Sequence, residues 1–149
     1  IIPALMSRGV TLADAREYGI IGCVEPQKPF KTDGWHDAAF FNMCRPLELV
    51  FSNGVDKGAQ ISIKTGNVED MTTFEEFYNA YKAQETYMIG LMVNAINAID
   101  TAHSERVPLP FLSCMVEDCV KEGKTVQEGG AHYNFTGPQG FGIANMADG

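Results

Sequence analysis

The stretch Ile20-Ile21-Gly22-Cys23-Val24-Glu25-Pro26-Gln27 sets a thiol and a carboxylate two residues apart. In an extended segment, side chains at positions i and i+2 point to the same side, and their Cα atoms lie roughly 6 to 7 Å apart. A short apolar strand running through Gly22 would carry both groups at the tip of a stiff loop, because Gly22 permits close backbone approach and Pro26 restricts Glu25 to extended geometry. A sulfur and a base that face one substrate-sized volume indicate a catalytic centre.

Four blocks of the sequence resemble the glycyl radical enzymes, in particular the branch of diol dehydratases and related lyases. In chain order they are Gly22–Gln27, Gly34–Asn42, Ala102–Arg106 with Pro108–Ser113, and Tyr133–Gly140. Four ordered blocks are a more specific signal than the first block alone, and they cover nearly the whole chain. Pyruvate formate-lyase-like members carry two adjacent cysteines where this chain has Cys23 beside Val24. That difference argues against carbon–carbon cleavage of pyruvate.

The resemblance implies an α/β fold, namely a fragment of a ten-stranded barrel surrounded by helices, with this piece mostly helical. Residues 1–149 would be an internal segment of the catalytic barrel domain, with the cysteine finger loop over about residues 18–37. Family members carry their radical-bearing glycine near the C-terminus in an Arg-Val-x-Gly-Tyr-like context, and the sequence contains no such motif. We therefore expect the glycyl radical region to lie outside this chain.

The resemblance also implies roles for four residues. The cysteine at position 23 would be oxidised to a thiyl radical, which suits hydrogen transfer because an S–H bond is close in strength to a C–H bond beside a hydroxyl. Glu25 would be the general base that removes the proton of that hydroxyl. Asp37 would bind a substrate hydroxyl, although a helix N-cap is its structural alternative. His36 would support the site from a neighbouring position.

These roles favour dehydration of glycerol or propane-1,2-diol to an aldehyde and water. An isethionate or hydroxysulfonate sulfite-lyase would use the same Cys23 and Glu25 for carbon–sulfur cleavage, but it would need basic side chains near the sulfonate. From another class, Cys23 could be the nucleophile of a hydrolase with His36 as its base. A non-catalytic acidic interaction module is a third hypothesis.

Composition and motif spacing limit the cofactors and partners that this chain could bind. The formal net charge of −8 disfavours nucleic-acid binding, and no apolar run reaches the length of a membrane span. Cys114, Cys119 and His132 lack the fourth ligand and the paired spacing of a zinc site. The glycine-rich stretch Gly137–Gly142 lacks the lysine of a phosphate loop and the spacing of a dinucleotide fingerprint. We therefore expect neither metal nor dinucleotide in this chain, nor a membrane or nucleic-acid partner.

The partners follow from the resemblance. It implies a small-molecule substrate, a protein-derived glycyl radical outside this chain, and a radical S-adenosylmethionine activating enzyme. A homodimer is compatible with it. Because no secretion signal opens the chain, we expect a cytoplasmic protein, and the resemblance implies an anaerobic enzyme. Three cysteines in helical-looking segments are expected to be reduced, buried thiols: Cys44, Cys114 and Cys119.

Hydrophobic periodicity predicts the elements that hold these residues. The best helix is Thr72–Ile99, which a Thr72–Glu75 capping box would open. The other predictions are helices at Thr11–Tyr18, Asp37–Asn53 and Ser113–Glu122, a buried strand or loop stem at Ile20–Val24, a hairpin near Gln60–Lys64, and irregular structure over Pro26–Gly34 and Gly129–Gly142.

Overall fold

The computed structural model describes residues 1–148, and about half of the chain is helical. The chain divides into two compact units. The first comprises Ile1–Ala38 and Ala98–Gly137, and the second comprises Ala39–Asn97 and Pro138–Gly149. Among the described residues, no helix is both long and apolar enough to cross a membrane.

The described residues form seven α-helices and six strands. In chain order the elements are α1 (Ile2–Ser7), α2 (Leu12–Arg16), β1 (Gly19–Ile21), β2 (Glu25–Gln27), β3 (Thr32–Asn42), α3 (Cys44–Phe51), β4 (Val55–Asp56), β5 (Ala59–Gln60), α4 (Phe74–Arg106), α5 (Pro110–Ser113), α6 (Cys119–Glu122), β6 (Tyr133–Phe141) and α7 (Ile143–Asp148). Three two-stranded sheets pair β1 with β2, β3 with β6, and β4 with β5.

The β1–β2 hairpin contains the stretch Ile20–Gln27, in which the thiol and the carboxylate are two residues apart. Its strands are antiparallel, with Ile21 opposite Glu25, and the turn between them is Gly22-Cys23-Val24. The predicted strand Ile20–Val24 is therefore wrong beyond Ile21, because the left-handed φ of 59° at Gly22 turns the chain back. The predicted loop over Pro26–Gly34 is also wrong at both ends, because β2 extends to Gln27 and β3 begins at Thr32.

The parts of strands β3 and β6 that belong to the first unit run parallel. The N–H of Tyr133 donates to the carbonyl of Lys31 at 2.9 Å, and further along both strands His36 lies against Gly137. Parallel pairing of remote segments is typical of sheets that helices cover. The irregular structure predicted over Gly129–Gly142 is thus wrong, because backbone pairing with β3 stabilises a strand that its glycines and proline disfavour.

The predicted helix Asp37–Asn53 is wrong in its first half. Residues 37–42 continue strand β3, and helix α3 begins only at Cys44. Asp37 is consequently not a helix N-cap. Pro46 is tolerated in the first turn of α3, where its missing N–H costs no intrahelical bond.

Helix α4 is longer than predicted and starts with a different capping pair. The Glu76 N–H donates to Thr73 Oγ1 at 3.2 Å, and Glu76 Oε2 accepts from the Thr73 N–H at 3.1 Å. Backbone N–H bonds from Thr72 and Thr73 hold the pKa of Glu76 below its ordinary value. At the other end the helix continues through polar turns to Arg106, where basic side chains suit a helix C-terminus.

The predicted helix Ser113–Glu122 is interrupted. Helices α5 and α6 are separated by a turn that ends at Asp118, whose φ of 74° is left-handed. All four cysteines are free thiols, but burial differs from the expectation. Cys119 is buried, Cys44 is half-buried and Cys114 is exposed, so Cys114 is not part of a core.

Each unit has its own hydrophobic core. In the first unit, Leu5, Val10 and Ala15 pack with Tyr133. The Tyr133 hydroxyl donates to Asp14 Oδ2 at 2.7 Å, and this bond holds the pKa of Asp14 below its ordinary value. In the second unit the buried residues are Val50, Ala80 and Tyr81.

Gln84 on α4 anchors the segment before it in the second unit. It is fully buried, its Nε2 donates to the Ile63 carbonyl at 2.8 Å and to Thr65 Oγ1 at 3.2 Å, and its Oε1 accepts from Ser62. We expect Gln84→Leu to destabilise this segment by about 1–3 kcal/mol, because buried polar partners would lose their bonds.

Hydrogen–deuterium exchange of the full-length protein measures this effect. Amides of residues 60–66 should exchange faster in Gln84→Leu than in the wild type. The control is Asn94→Leu on the same helix, at a residue exposed in the described structure. Equal protection of residues 60–66 in the two variants would contradict an anchoring role for Gln84.

Candidate functional site

The tip of the β1–β2 hairpin carries the predicted thiol. Cys23 is the middle residue of the three-residue turn and is exposed. The three turn residues take no part in the strand pairing, because the last paired residues of the two strands are Ile21 and Glu25. The thiol is therefore accessible to a group that approaches from another segment.

The carboxylate of Glu25 folds back over the same turn. Its Oε2 accepts two backbone hydrogen bonds, from the N–H of Cys23 at 2.9 Å and from the N–H of Val24 at 3.0 Å. Bonds from N–H groups to a charged acceptor are stronger than neutral ones. The acid is thus held at the backbone of the Cys23 turn by local hydrogen bonds, rather than placed beside the thiol by alternation along an extended strand.

Gly22 leaves the space that this carboxylate occupies. A Cβ atom added at position 22 would lie 2.7 Å from Glu25 Oε2 and 3.4 Å from its Cδ. The residue also has a φ of +59°, in the left-handed region that favours glycine. The sequence predicts close backbone approach at Gly22, and the structure shows that the approaching group is the neighbouring acid.

Asp37 lies on β3 with its side chain exposed. Its φ of 59° is left-handed, which is uncommon for a residue with a Cβ atom, although aspartate tolerates it better than most. Strained backbone of this kind clusters at functional sites.

His36 is clamped between two glycines on adjacent strands. A Cβ atom at Gly34 would overlap His36 Nε2, and one at Gly137 would lie 3.1 Å from His36 Nδ1. Nε2 is buried and has no hydrogen-bond partner among the described residues. The imidazole therefore makes no hydrogen bond through Nε2 to the Cys23 thiol, and the nucleophile–base contact of a thiol hydrolase is not formed by that nitrogen.

The first unit thus contains all four predicted site residues on two elements. Cys23 and Glu25 share the hairpin, and their backbone and carboxylate groups are in direct contact. His36 and Asp37 are neighbours on β3. The glycine-rich stretch packs tightly at Gly137, which lies against the His36 ring.

The first unit also contains a small polar cavity that the sequence does not predict. It has a volume of about 90 Å³ and is lined in part by Asp33, Asp100 and Asn134. Burial raises the pKa of Asp33 above its ordinary value, the charge of Asp100 raises it further, and His36 opposes the shift. Its lining comes from remote parts of the chain, so no local sequence pattern could have revealed it.

The chemistry of the described residues does not include a metal cluster. Within residues 1–148, no group of three or more His, Cys, Asp or Glu side chains could hold a metal ion. His132 instead pairs with Asp118, with 2.6 Å between Nδ1 and Oδ2, and this contact lowers the pKa of Asp118.

Comparison with known families and relatives gives a consistent result. The profile of the family described as pyruvate formate lyase-like matches residues 1–149. A curated relative is the (2S)-3-sulfopropanediol dehydratase of Klebsiella oxytoca, which is 39% identical over 149 residues that cover 99% of this chain and 18% of the relative.

Two solved structures resemble the chain more strongly in sequence. One concerns 1,2-propanediol dehydration in Roseburia inulinivorans, with 69% identity and a TM-score of 0.98. The other is the glycerol-bound B12-independent glycerol dehydratase from Clostridium butyricum, with 62% identity and a TM-score of 0.97. Each match covers 99% of this chain and 19% of the solved chain, so this chain spans about a fifth of their length.

Proposed function

Because the chain belongs to the pyruvate formate lyase-like family of glycyl radical enzymes, we propose that the protein carrying it converts propane-1,2-diol or glycerol to an aldehyde and water. The family resemblance and the α/β barrel fragment predicted from the sequence are confirmed. The observation that carries the proposal is the hairpin tip, where the Glu25 carboxylate is hydrogen-bonded to the Cys23 backbone at 2.9 Å. Similarity to the structures that concern 1,2-propanediol dehydration and a glycerol-bound glycerol dehydratase supports the substrate class.

The radical centre would be a glycine outside this chain, generated by a radical S-adenosylmethionine activating enzyme, and it would take the hydrogen atom of the Cys23 thiol to leave a thiyl radical. The exposed position of Cys23 fits this demand, because a radical on another segment must reach the sulfur. A thiol held inside a core, such as that of Cys119, would not fit. Formation of the thiyl in the full-length protein therefore depends on the hairpin tip being presented to the segment that carries the glycine.

Cys23 and Glu25 then divide the reaction between them. The Cys23 sulfur takes a hydrogen atom from the hydroxyl-bearing substrate carbon, which leaves a carbon radical and restores the thiol. Glu25 takes the proton of that hydroxyl, which the radical has made more acidic. The adjacent carbon–oxygen bond breaks, its electron pair leaves with the hydroxide, and the proton held by Glu25 completes a water molecule. The product radical finally recovers a hydrogen atom from Cys23.

Asp37 and His36 have binding and supporting roles in this proposal. A carboxylate accepts hydrogen bonds from substrate hydroxyls and adds orientation to the hydrogen-transfer step. The left-handed backbone of Asp37 points to a side chain whose direction is set by strain rather than by regular strand geometry. His36, packed between Gly34 and Gly137, would fix the backbone that precedes Asp37.

Anaerobic activation followed by product analysis tests the proposal. The full-length protein is incubated with its activating enzyme and then separately with propane-1,2-diol, glycerol and isethionate. We expect an aldehyde from a diol, no sulfite from isethionate, and loss of turnover on exposure to air. Sulfite release from isethionate would instead indicate a carbon–sulfur lyase, and turnover that needs no activation and survives air would indicate a thiol hydrolase.

A further inference from the structure

We propose that Gly22 is a positioning residue for Glu25, whose carboxylate stays over the Cys23 turn only because position 22 has no side chain. The inference rests on the proposed function, since it assigns Gly22 a part in presenting the base to the substrate.

The geometry at position 22 leaves no room for a methyl group. A Cβ atom there would lie 2.7 Å from Glu25 Oε2, 3.4 Å from Cδ and 3.7 Å from Oε1, so all three nearest atoms belong to the same carboxyl group. Real Cβ atoms essentially never approach another heavy atom below 3.0 Å. Something must shift, and the end of a flexible side chain shifts more easily than the paired backbone of the hairpin.

The displaced carboxylate would lose its hold on the turn. Oε2 accepts from the N–H groups of Cys23 and Val24 at 2.9 and 3.0 Å. In the position where it makes both bonds, Oε2 lies only 2.7 Å from the new methyl carbon. The base would then move relative to both the thiol and the substrate. A misplacement of about 1 Å in a reacting geometry can lower the rate by about 100-fold.

Gly123 provides a matched control in the same unit. Its φ of +64° is close to the +59° of Gly22, but a Cβ atom added there meets nothing within 4 Å. Alanine at either position therefore suffers the same left-handed backbone strain. Only alanine at position 22 also meets a carboxylate.

The experiment compares Gly22→Ala and Gly123→Ala in the activated full-length enzyme. We expect similar shifts in Tm for both variants and unchanged glycyl radical content by electron paramagnetic resonance. The kcat of Gly22→Ala should fall about 100-fold, whereas that of Gly123→Ala should stay within about twofold, as expected of a surface site remote from the chemistry. Equal losses of kcat in the two variants would overturn the positioning role.

A second comparison removes the contact from the other side. Glu25→Asp shortens the side chain by one carbon and so withdraws the carboxylate from position 22. The double variant Gly22→Ala/Glu25→Asp should therefore have a kcat less than about tenfold below that of Glu25→Asp alone. Such a non-additive result is typical of residues in contact. A further 100-fold loss in that background would also overturn the inference. If Glu25→Gln leaves turnover intact, the proposed function itself fails; if only the Gly22→Ala result fails, the proposed function stands.

Discussion

Replacing Cys23 with serine should lower turnover of the activated enzyme by at least about 10⁴-fold, the scale on which loss of a reacting group lowers kcat. A serine O–H bond is much stronger than a thiol S–H bond. The serine therefore cannot surrender its hydrogen atom to the glycyl radical or exchange one with a substrate C–H bond. The similar size of the two side chains leaves the hairpin turn unchanged, so the loss reports chemistry rather than packing.

The measurement combines radical content with product formation. The Cys23→Ser variant should accept a glycyl radical from the activating enzyme, seen by electron paramagnetic resonance, yet form no aldehyde from propane-1,2-diol. Cys114→Ser is the matched control, because Cys114 is also an exposed free thiol but lies outside the hairpin. Turnover retained in Cys23→Ser would show that this cysteine is not the hydrogen-transfer residue.

Glu25→Gln should lower kcat by about 10²–10⁴-fold, the usual contribution of a general base. Glutamine keeps a carbonyl oxygen that can accept from the N–H groups of Cys23 and Val24, so the turn should keep its shape. Hydrogen abstraction by Cys23 would continue without the proton removal that drives elimination. Substrate recovered from deuterated water should consequently contain deuterium at the carbon from which hydrogen is taken.

Glu25→Ala separates the two contributions of this side chain. Alanine removes the base and also both hydrogen bonds to the turn, so deuterium exchange into the substrate should fall together with product formation. Equal deuterium exchange in the alanine and glutamine variants would mean that the carboxylate does not help to position Cys23. Full turnover in Glu25→Gln would refute the assignment of Glu25 as base.

The sequence was most informative where an interaction is local. Cys23 and Glu25 are two residues apart, and the structure places the carboxylate at the Cys23 backbone. Their geometry was mistaken, because the spacing suggested an extended segment while the left-handed φ of Gly22 makes a turn. Two short strand-like segments separated by three residues that include glycine are a known hairpin signal. The apolar pair Ile20-Ile21 instead favoured a single strand that runs through Gly22.

Segments whose partners are remote could not be derived in the same way. Strand β6 contains glycine and proline, and pairing with β3 decides its conformation. The aromatic residues Phe40 and Phe41 fit a helical stripe as well as the end of β3, and only the tertiary context selects the strand. Gln84 and the half-buried Asp33, which lies near the charge of Asp100, likewise depend on contacts that no local pattern encodes.

The hairpin that presents Cys23 has a practical consequence for protein engineering. Two bonds that hold its acid begin and end within residues 23–25, so the conformation of the turn is set largely by local contacts. Side chains on surrounding segments could be exchanged to admit a different alcohol without retuning the spacing of sulfur and base. Redesign of selectivity should therefore begin outside this short cassette and leave its four central residues, Gly22 to Glu25, untouched.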